Sequence, residues 1–292
     1  MKNGLTTETK QLLQKYGLRP KKRWGQNFLI DERIIQAIVA AAELSPADTV
    51  VEIGPGLGSL TAHLVQQAGQ VLAVEIDAQL IPLLQEKLGS YPGFKILEQD
   101  ILKVDLDRAV QEAFGQVPHP YKIVANLPYY ITTPVIMKLL EERCRISTMV
   151  LMVQKEVGER MQARPGTKAY GALSVAVQYY TEPSVVCKVP PGAFRPVPEV
   201  SSVVVKLAVR ETPAVAPRDE RLFFQVVRAA FGQRRKTLVN ALSGFFRRWS
   251  KEEMTELLQQ AGIPPTVRGE ELGLTEFAQI ADALAKAAME SR

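Results

Sequence analysis

From residue 49 onward the chain alternates short apolar runs with amphipathic segments, and this pattern restricts its fold more than any other feature. Thr49–Ile53, Val71–Ile76, Phe94–Leu97, Lys122–Ala125 and Met149–Val153 are short and almost wholly apolar, and read as buried strands. The stretches 59–68, 78–88, 107–114 and 134–142 between them carry helical periodicity. Strands separated by helices predict a parallel sheet covered on both faces. Ser184–Val189 and Ser202–Val209 are two further β-rich runs, split by a proline-rich loop from Pro190 to Pro198, and are expected to close the sheet at one edge.

Other patterns flank this core. Residues 1–30 form a polar, basic, glycine-bearing segment. Asp31 is placed to cap a helix whose apolar stripe is Ile34, Ile35, Ile38, Val39 and Ala42. Residues 211–219 hold Pro213 and Pro217 without periodicity and read as a linker. Residues 220–292 contain only helical patterns, broken at Gly262-Ile263-Pro264-Pro265. The expected organisation is an α/β domain over 31–210 and a small C-terminal α-helical domain over 220–292.

The residue inventory excludes several function classes. Cys144 and Cys187 are far apart with no CxxC spacing, so free thiols in a reducing compartment are expected. His63 and His119 have no acidic or cysteine cluster beside them, so neither a metal site nor histidine-based nucleophilic catalysis is expected. No apolar stretch approaches the roughly 20 residues of a membrane span, and the N-terminus does not resemble a signal peptide. A cytoplasmic protein, monomeric and without membrane contact, is expected. The net charge of +5 is a mild basic bias whose placement matters more than its size. Three clusters are candidates for a polyanionic partner: Lys21, Lys22 and Arg23; Arg234, Arg235 and Lys236; and Arg247 with Arg248.

The strand ends carry the chemistry. Gly54-Pro55-Gly56-Leu57-Gly58 follows the first strand, and glycines there let the backbone approach a ligand closely. A dinucleotide fingerprint would want glycine at position 59, where this chain has Ser59, so NAD fits poorly. Glu75 ends the second strand, about twenty residues further on, where a carboxylate can accept two hydrogen bonds from ribose hydroxyls. Asp100 follows the third strand and can receive the amine of a bound adenine.

Asn126-Leu127-Pro128-Tyr129 follows the fourth strand. The lone pair of an adenine N6 amine is delocalised into the ring, which makes the nitrogen a poor nucleophile. Accepting hydrogen bonds from its two N–H groups favours a tetrahedral nitrogen and frees that pair. The Asn126 side-chain oxygen and the Leu127 carbonyl can be the two acceptors. Pro128 restrains Leu127 to an extended conformation, which helps aim the carbonyl. Tyr129 offers a flat face for the base, worth roughly 1–3 kcal/mol by stacking. No general base is needed, because the cationic product nitrogen loses its proton readily.

With these motifs in view, the chain closely resembles the small-subunit ribosomal RNA adenine N6,N6-dimethyltransferases. The resemblance runs through Gln26 to Leu29, Glu52 to Thr61, Glu75 to Asp77, Gln99-Asp100, Asn126 to Tyr129, Phe194 to Val200 and Phe231 to Leu242. It implies S-adenosylmethionine as cofactor, contacted by Asn27, Leu29, Gly54, Gly56, Glu75, Asp100 and Asn126. It implies Phe194 as the second wall of a base pocket opposite Tyr129. The implied fold is a Rossmann-like methyltransferase sheet of seven strands, the last antiparallel, plus a helical domain. The implied substrate is two adjacent adenosines in a hairpin loop near the 3′ end of small-subunit ribosomal RNA within the 30S precursor particle, each methylated twice. A looped base costs least to take out of its stack. The competing readings are the large-subunit adenine methyltransferase of macrolide resistance, an assembly factor on the same fold and, more remotely, an NAD oxidoreductase. The Asn126-to-Tyr130 form and the long C-terminal domain favour the small-subunit family.

Overall fold

The computed structural model describes residues 2–21, 25–115, 119–233 and 235–290. Its strands are β1 (Phe28–Leu29), β2 (Thr49–Ile53), β3 (Gln70–Glu75), β4 (Phe94–Glu98), β5 (Tyr121–Asn126), β6 (Ile146–Gln154), β7 (Thr181–Val189), β8 (Phe194–Arg195) and β9 (Ser202–Val209). Seven of them form one sheet in the order β4-β3-β2-β5-β6-β9-β7. The five runs read as buried strands from the sequence pair in parallel, β3 with β4 and β2, then β2 with β5 and β5 with β6. All five residues of β2 are buried, as expected for a central strand covered on both faces. β9 runs antiparallel to β6, from Gln154↔Ser202 to Thr148↔Ala208. β1 and β8 form a separate antiparallel pair.

The helices before the sheet closes are α1 (Lys2–Lys15), α2 (Glu32–Ala42), α3 (Thr61–Gln67), α4 (Ile81–Leu88), α5 (Leu106–Phe114) and α6 (Thr132–Glu141). Asp31 caps α2 by accepting from the Arg33 N–H, and Ile35, Ile38, Val39 and Ala42 turn inward. The segment 1–30 differs from the sequence expectation, because most of its first half is α1. Leu5, Leu12 and Leu13 of α1 pack against the core that includes Leu84 and Leu88 of α4. Glu8 pairs with Lys87 at 2.8 Å, and Tyr16 bonds to Glu86.

The remaining helices are α7 (Lys155–Met161), α8 (Ala172–Tyr180), α9 (Glu220–Gly232), α10 (Leu238–Phe245), α11 (Lys251–Gln260) and α12 (Leu274–Glu290). The chain divides into two units, 1–158 with 182–209 and 159–181 with 210–292. Residues 159–181, expected with the sheet, belong instead to the helical unit. The reason is packing: Tyr170, Val175 and Tyr179 share a buried cluster with Phe223, Leu242 and Phe277. The Tyr179 and Tyr180 hydroxyls also donate to Glu220 of α9. The expected linker 211–219 is anchored to the same unit, with the Ala214 N–H donating to Tyr179 and the Arg218 N–H to Asp282. Among the described residues no helix is long and apolar enough to cross a membrane.

Candidate active site

The strand order reverses between β2 and β5, and at such a switch point the loops leaving the carboxyl ends diverge and open a crevice. A cavity of about 250 Å³ lies there. Gly54 and Gly56 line it after β2, Glu75 at the end of β3, and Asp100 after β4. Asn126, Leu127, Pro128 and Tyr129 line it after β5. Residues 25–29, which include Asn27 and Leu29, form a strap along a further wall. Ten sequence-predicted residues from five separate segments therefore share one cavity.

The turn after β2 needs its glycines. Gly54 and Gly56 have φ of 70° and 57°, where side chains are disfavoured. A Cβ on Gly56 would also sit 3.2 Å from the Phe28 ring. The turn therefore brings bare backbone to the cavity, the surface a nucleoside-bearing cofactor needs. Glu75 is 5% exposed and accepts from the Gly56 N–H at 3.3 Å and the Asp77 N–H at 2.8 Å. Burial raises its pKa, while those backbone donors oppose the shift. A carboxylate so oriented and short of solvent is suited to accept from paired hydroxyls. Asp100 is half-buried, and its Oδ1 accepts from the Leu102 N–H at 3.0 Å.

The segment after β5 is braced. The Leu127 N–H donates to Met152, and the Pro128 carbonyl accepts from the Thr132 hydroxyl at 3.0 Å. The Asn126 Nδ2 donates to the Asn27 carbonyl at 3.1 Å. That bond fixes the amide orientation and leaves Oδ1 as the acceptor for an incoming amine. The Tyr129 hydroxyl is bonded to Ser202 at 2.7 Å, which holds the ring.

Several further participants lie in the motif segments but were given no individual role from the sequence. Glu52 lines the cavity at 1% exposure, and burial pushes its pKa up to about 8. Gln26 and Asp77 join Lys21 in a bonded cluster beside Glu75. Tyr130, half-exposed, stands at the cavity wall. An acid inside a strand and polar residues beside a motif are too common to be read out of one sequence.

Other predicted residues lie elsewhere. Phe194 is fully buried in the core with Phe28 and Ala193 and does not line the cavity, because β8 is drawn inward by its pairing with β1. Lys21, expected among the polyanion contacts, has its ammonium 2.8 Å from Asp77. Arg235 and Lys236 are exposed in the turn between α9 and α10, and Arg247 and Arg248 are exposed just after α10. Lys22, Arg23 and Arg234 lie outside the described residues. No cluster of three or more metal-ligating side chains occurs among the described residues.

The chain has extensive similarity to known proteins. The profile of the family described as Ribosomal RNA adenine dimethylase matches residues 17–286. "Ribosomal RNA small subunit methyltransferase A" of Moorella thermoacetica is 54% identical over 280 residues, 94% of this chain and 96% of that protein. The protein of the same name from Alkaliphilus oremlandii is 48% identical, over 96% of each chain. Among solved structures, a dimethyladenosine transferase from Plasmodium falciparum superposes with a TM-score of 0.74 at 26% identity, covering 90% of this chain and 98% of its own. The 23S rRNA methyltransferase ErmE superposes with a TM-score of 0.66 at 27% identity, covering 89% of this chain and 100% of its own. On this breadth of similarity, and with the strand-end residues gathered in one cavity, the chain belongs to the ribosomal RNA adenine dimethylase family.

Proposed function

We propose that this chain dimethylates the N6 amines of two adjacent adenosines in a hairpin loop near the 3′ end of small-subunit ribosomal RNA, during ribosome biogenesis. One observation carries the chemistry: the Asn126 amide nitrogen is held by the Asn27 carbonyl, so its oxygen faces the work of accepting from an amine. S-adenosylmethionine supplies an electrophilic methyl group on a sulfonium sulfur. The residues fit it: the glycine turn offers open backbone at Gly54, Glu75 offers a buried carboxylate for the ribose, and Glu52 offers a second buried carboxyl. Asn126 Oδ1 and the Leu127 carbonyl accept from the target amine and turn its lone pair toward the methyl donor. Tyr129 supports the base by its face. Each transfer leaves one excess proton on a cationic nitrogen, which water removes, so the site needs no general base.

The small-subunit substrate is supported by relatives of that name at 48% and 54% identity, against 27% for ErmE. We place the protein in the cytoplasm, acting as a monomer on the 30S precursor particle, with Arg235, Lys236, Arg247 and Arg248 as phosphate contacts. The test offers undermethylated small subunits and protein-free large-subunit RNA in the same reaction with labelled cofactor. Label confined to adjacent adenosines of the small-subunit RNA is expected. Label in large-subunit RNA would favour the resistance-type activity.

A further inference from the structure

The strap along the cavity is tied down at a place that the cofactor contacts do not explain. Asp77 lies two residues beyond Glu75, and its side chain is 3% exposed. Its Oδ1 accepts from the Lys21 ammonium at 2.8 Å and from the Gln79 N–H at 3.1 Å. Its Oδ2 accepts from the Gln26 amide at 3.0 Å, and the Gln26 oxygen accepts from the Lys21 N–H at 2.8 Å. Lys21, Gln26 and Asp77 thus form a closed ring of hydrogen bonds that fastens Lys21 and Gln26 to the end of β3.

The same residue reaches the cofactor site from its other side. The Asp77 N–H donates to Glu75 Oε1 at 2.8 Å, so Asp77 orients the ribose carboxylate while its own carboxylate holds the strap. The strap then delivers the Asn27 carbonyl to Asn126. A carboxylate this deeply withdrawn from water is tolerable only while its donors are in place. The Lys15–Glu86 pair makes the contrast, since both partners there are more than half exposed and solvent screens them. Lifting the strap would strip Asp77 of its ammonium and its amide together.

We propose that Asp77 is a positioning residue whose side chain clamps the strap over the cofactor cavity through Lys21 and Gln26, and so holds Asn27 against Asn126, while its backbone N–H holds Glu75. Lys21 accordingly serves cofactor retention and not RNA binding. The inference rests on the cavity being the S-adenosylmethionine site.

The test compares wild type with Lys21→Met, Asp77→Asn and the double variant. S-adenosylmethionine dissociation is followed by displacement of labelled cofactor, and hydrogen exchange of amides 25–29 is followed in cofactor-free protein. Lys21→Met, a partly exposed position, keeps the test valid if Asp77→Asn folds poorly. Each single variant is expected to release cofactor roughly tenfold faster, and the double variant no faster than the worse single one, because they share one ion pair. Amides 25–29 should exchange faster while those of β5 and β6 keep wild-type protection. Wild-type release and exchange in Lys21→Met would overturn the clamp. So would a flattened salt dependence of ribosomal RNA binding in that variant, which would return Lys21 to the RNA. Failure of the wild type itself to bind S-adenosylmethionine would instead overturn the cofactor reading beneath it.

Discussion

Replacing Glu52 by glutamine should stabilise the cofactor-free protein by an amount that depends on pH. Glu52 sits within β2 at 1% exposure, and its Oε2 and the Thr61 hydroxyl make no hydrogen bond among the described residues. Burial pushes its pKa from 4.5 up to about 8, and the Glu75 carboxylate reinforces the shift. Between those values the folded protein holds Glu52 neutral while the unfolded chain ionises it, so rising pH favours unfolding. The penalty grows from about 1 kcal/mol at pH 5 to about 3 at pH 7 and about 4 at pH 8. Glutamine resembles the neutral acid and escapes it. Urea unfolding of both proteins without cofactor, at pH 5 and pH 8, should show the glutamine advantage larger by about 3 kcal/mol at pH 8, with similar m-values. An advantage equal at the two pH values would mean that Glu52 ionises normally in the fold, and would refute the reasoning.

Glu75→Gln weakens two charge-assisted bonds to a ribose and should cost on the order of 2–4 kcal/mol of S-adenosylmethionine affinity by calorimetry, without lowering the melting temperature of the cofactor-free protein; an unchanged dissociation constant removes Glu75 from the site. Asn126→Ala should slow single-turnover methyl transfer by on the order of a hundredfold while RNA affinity stays near wild type, because its bond strengthens as the amine becomes tetrahedral. Tyr129→Ala should lose the stacking face, roughly 1–3 kcal/mol, whereas Tyr129→Phe loses only the bond to Ser202 and should slow transfer a few-fold; equal damage would make the hydroxyl the working group. Arg235→Ala with Lys236→Ala should flatten the dependence of log K on log salt by just under one unit per phosphate contact, with an unchanged melt; a destabilised protein with the original slope would assign both residues to their own unit's stability.

The sheet and its ligand-bearing edge were legible because both rest on local signals. Runs such as Met149–Val153 are apolar throughout, as expected of a doubly covered strand, and the motif acids and Asn126 fall at or just beyond the ends of such runs. What the sequence hid was tertiary. The leucines of α1 are too sparse to mark a helix, and become meaningful only against Leu84 and Leu88. α8 is apolar on nearly every face, so its pattern does not say which core it joins. Phe194 carries its family motif but is withdrawn into the core by the β1–β8 pairing, a contact between segments far apart in the chain. Lys21 looks like one member of a basic run, and only the fold reveals Asp77 beside it.

The central claim is that Asn126 and its neighbours methylate adenine N6 in ribosomal RNA. The most direct measurement is nucleoside analysis of small-subunit RNA after reaction of undermethylated particles with S-adenosylmethionine and either the wild type or Asn126→Ala. The account predicts two N6,N6-dimethyladenosines per particle with the wild type and almost none with the variant over the same interval. Methyl groups found on another base or another atom, or an Asn126→Ala protein that dimethylates at the wild-type rate, would contradict it.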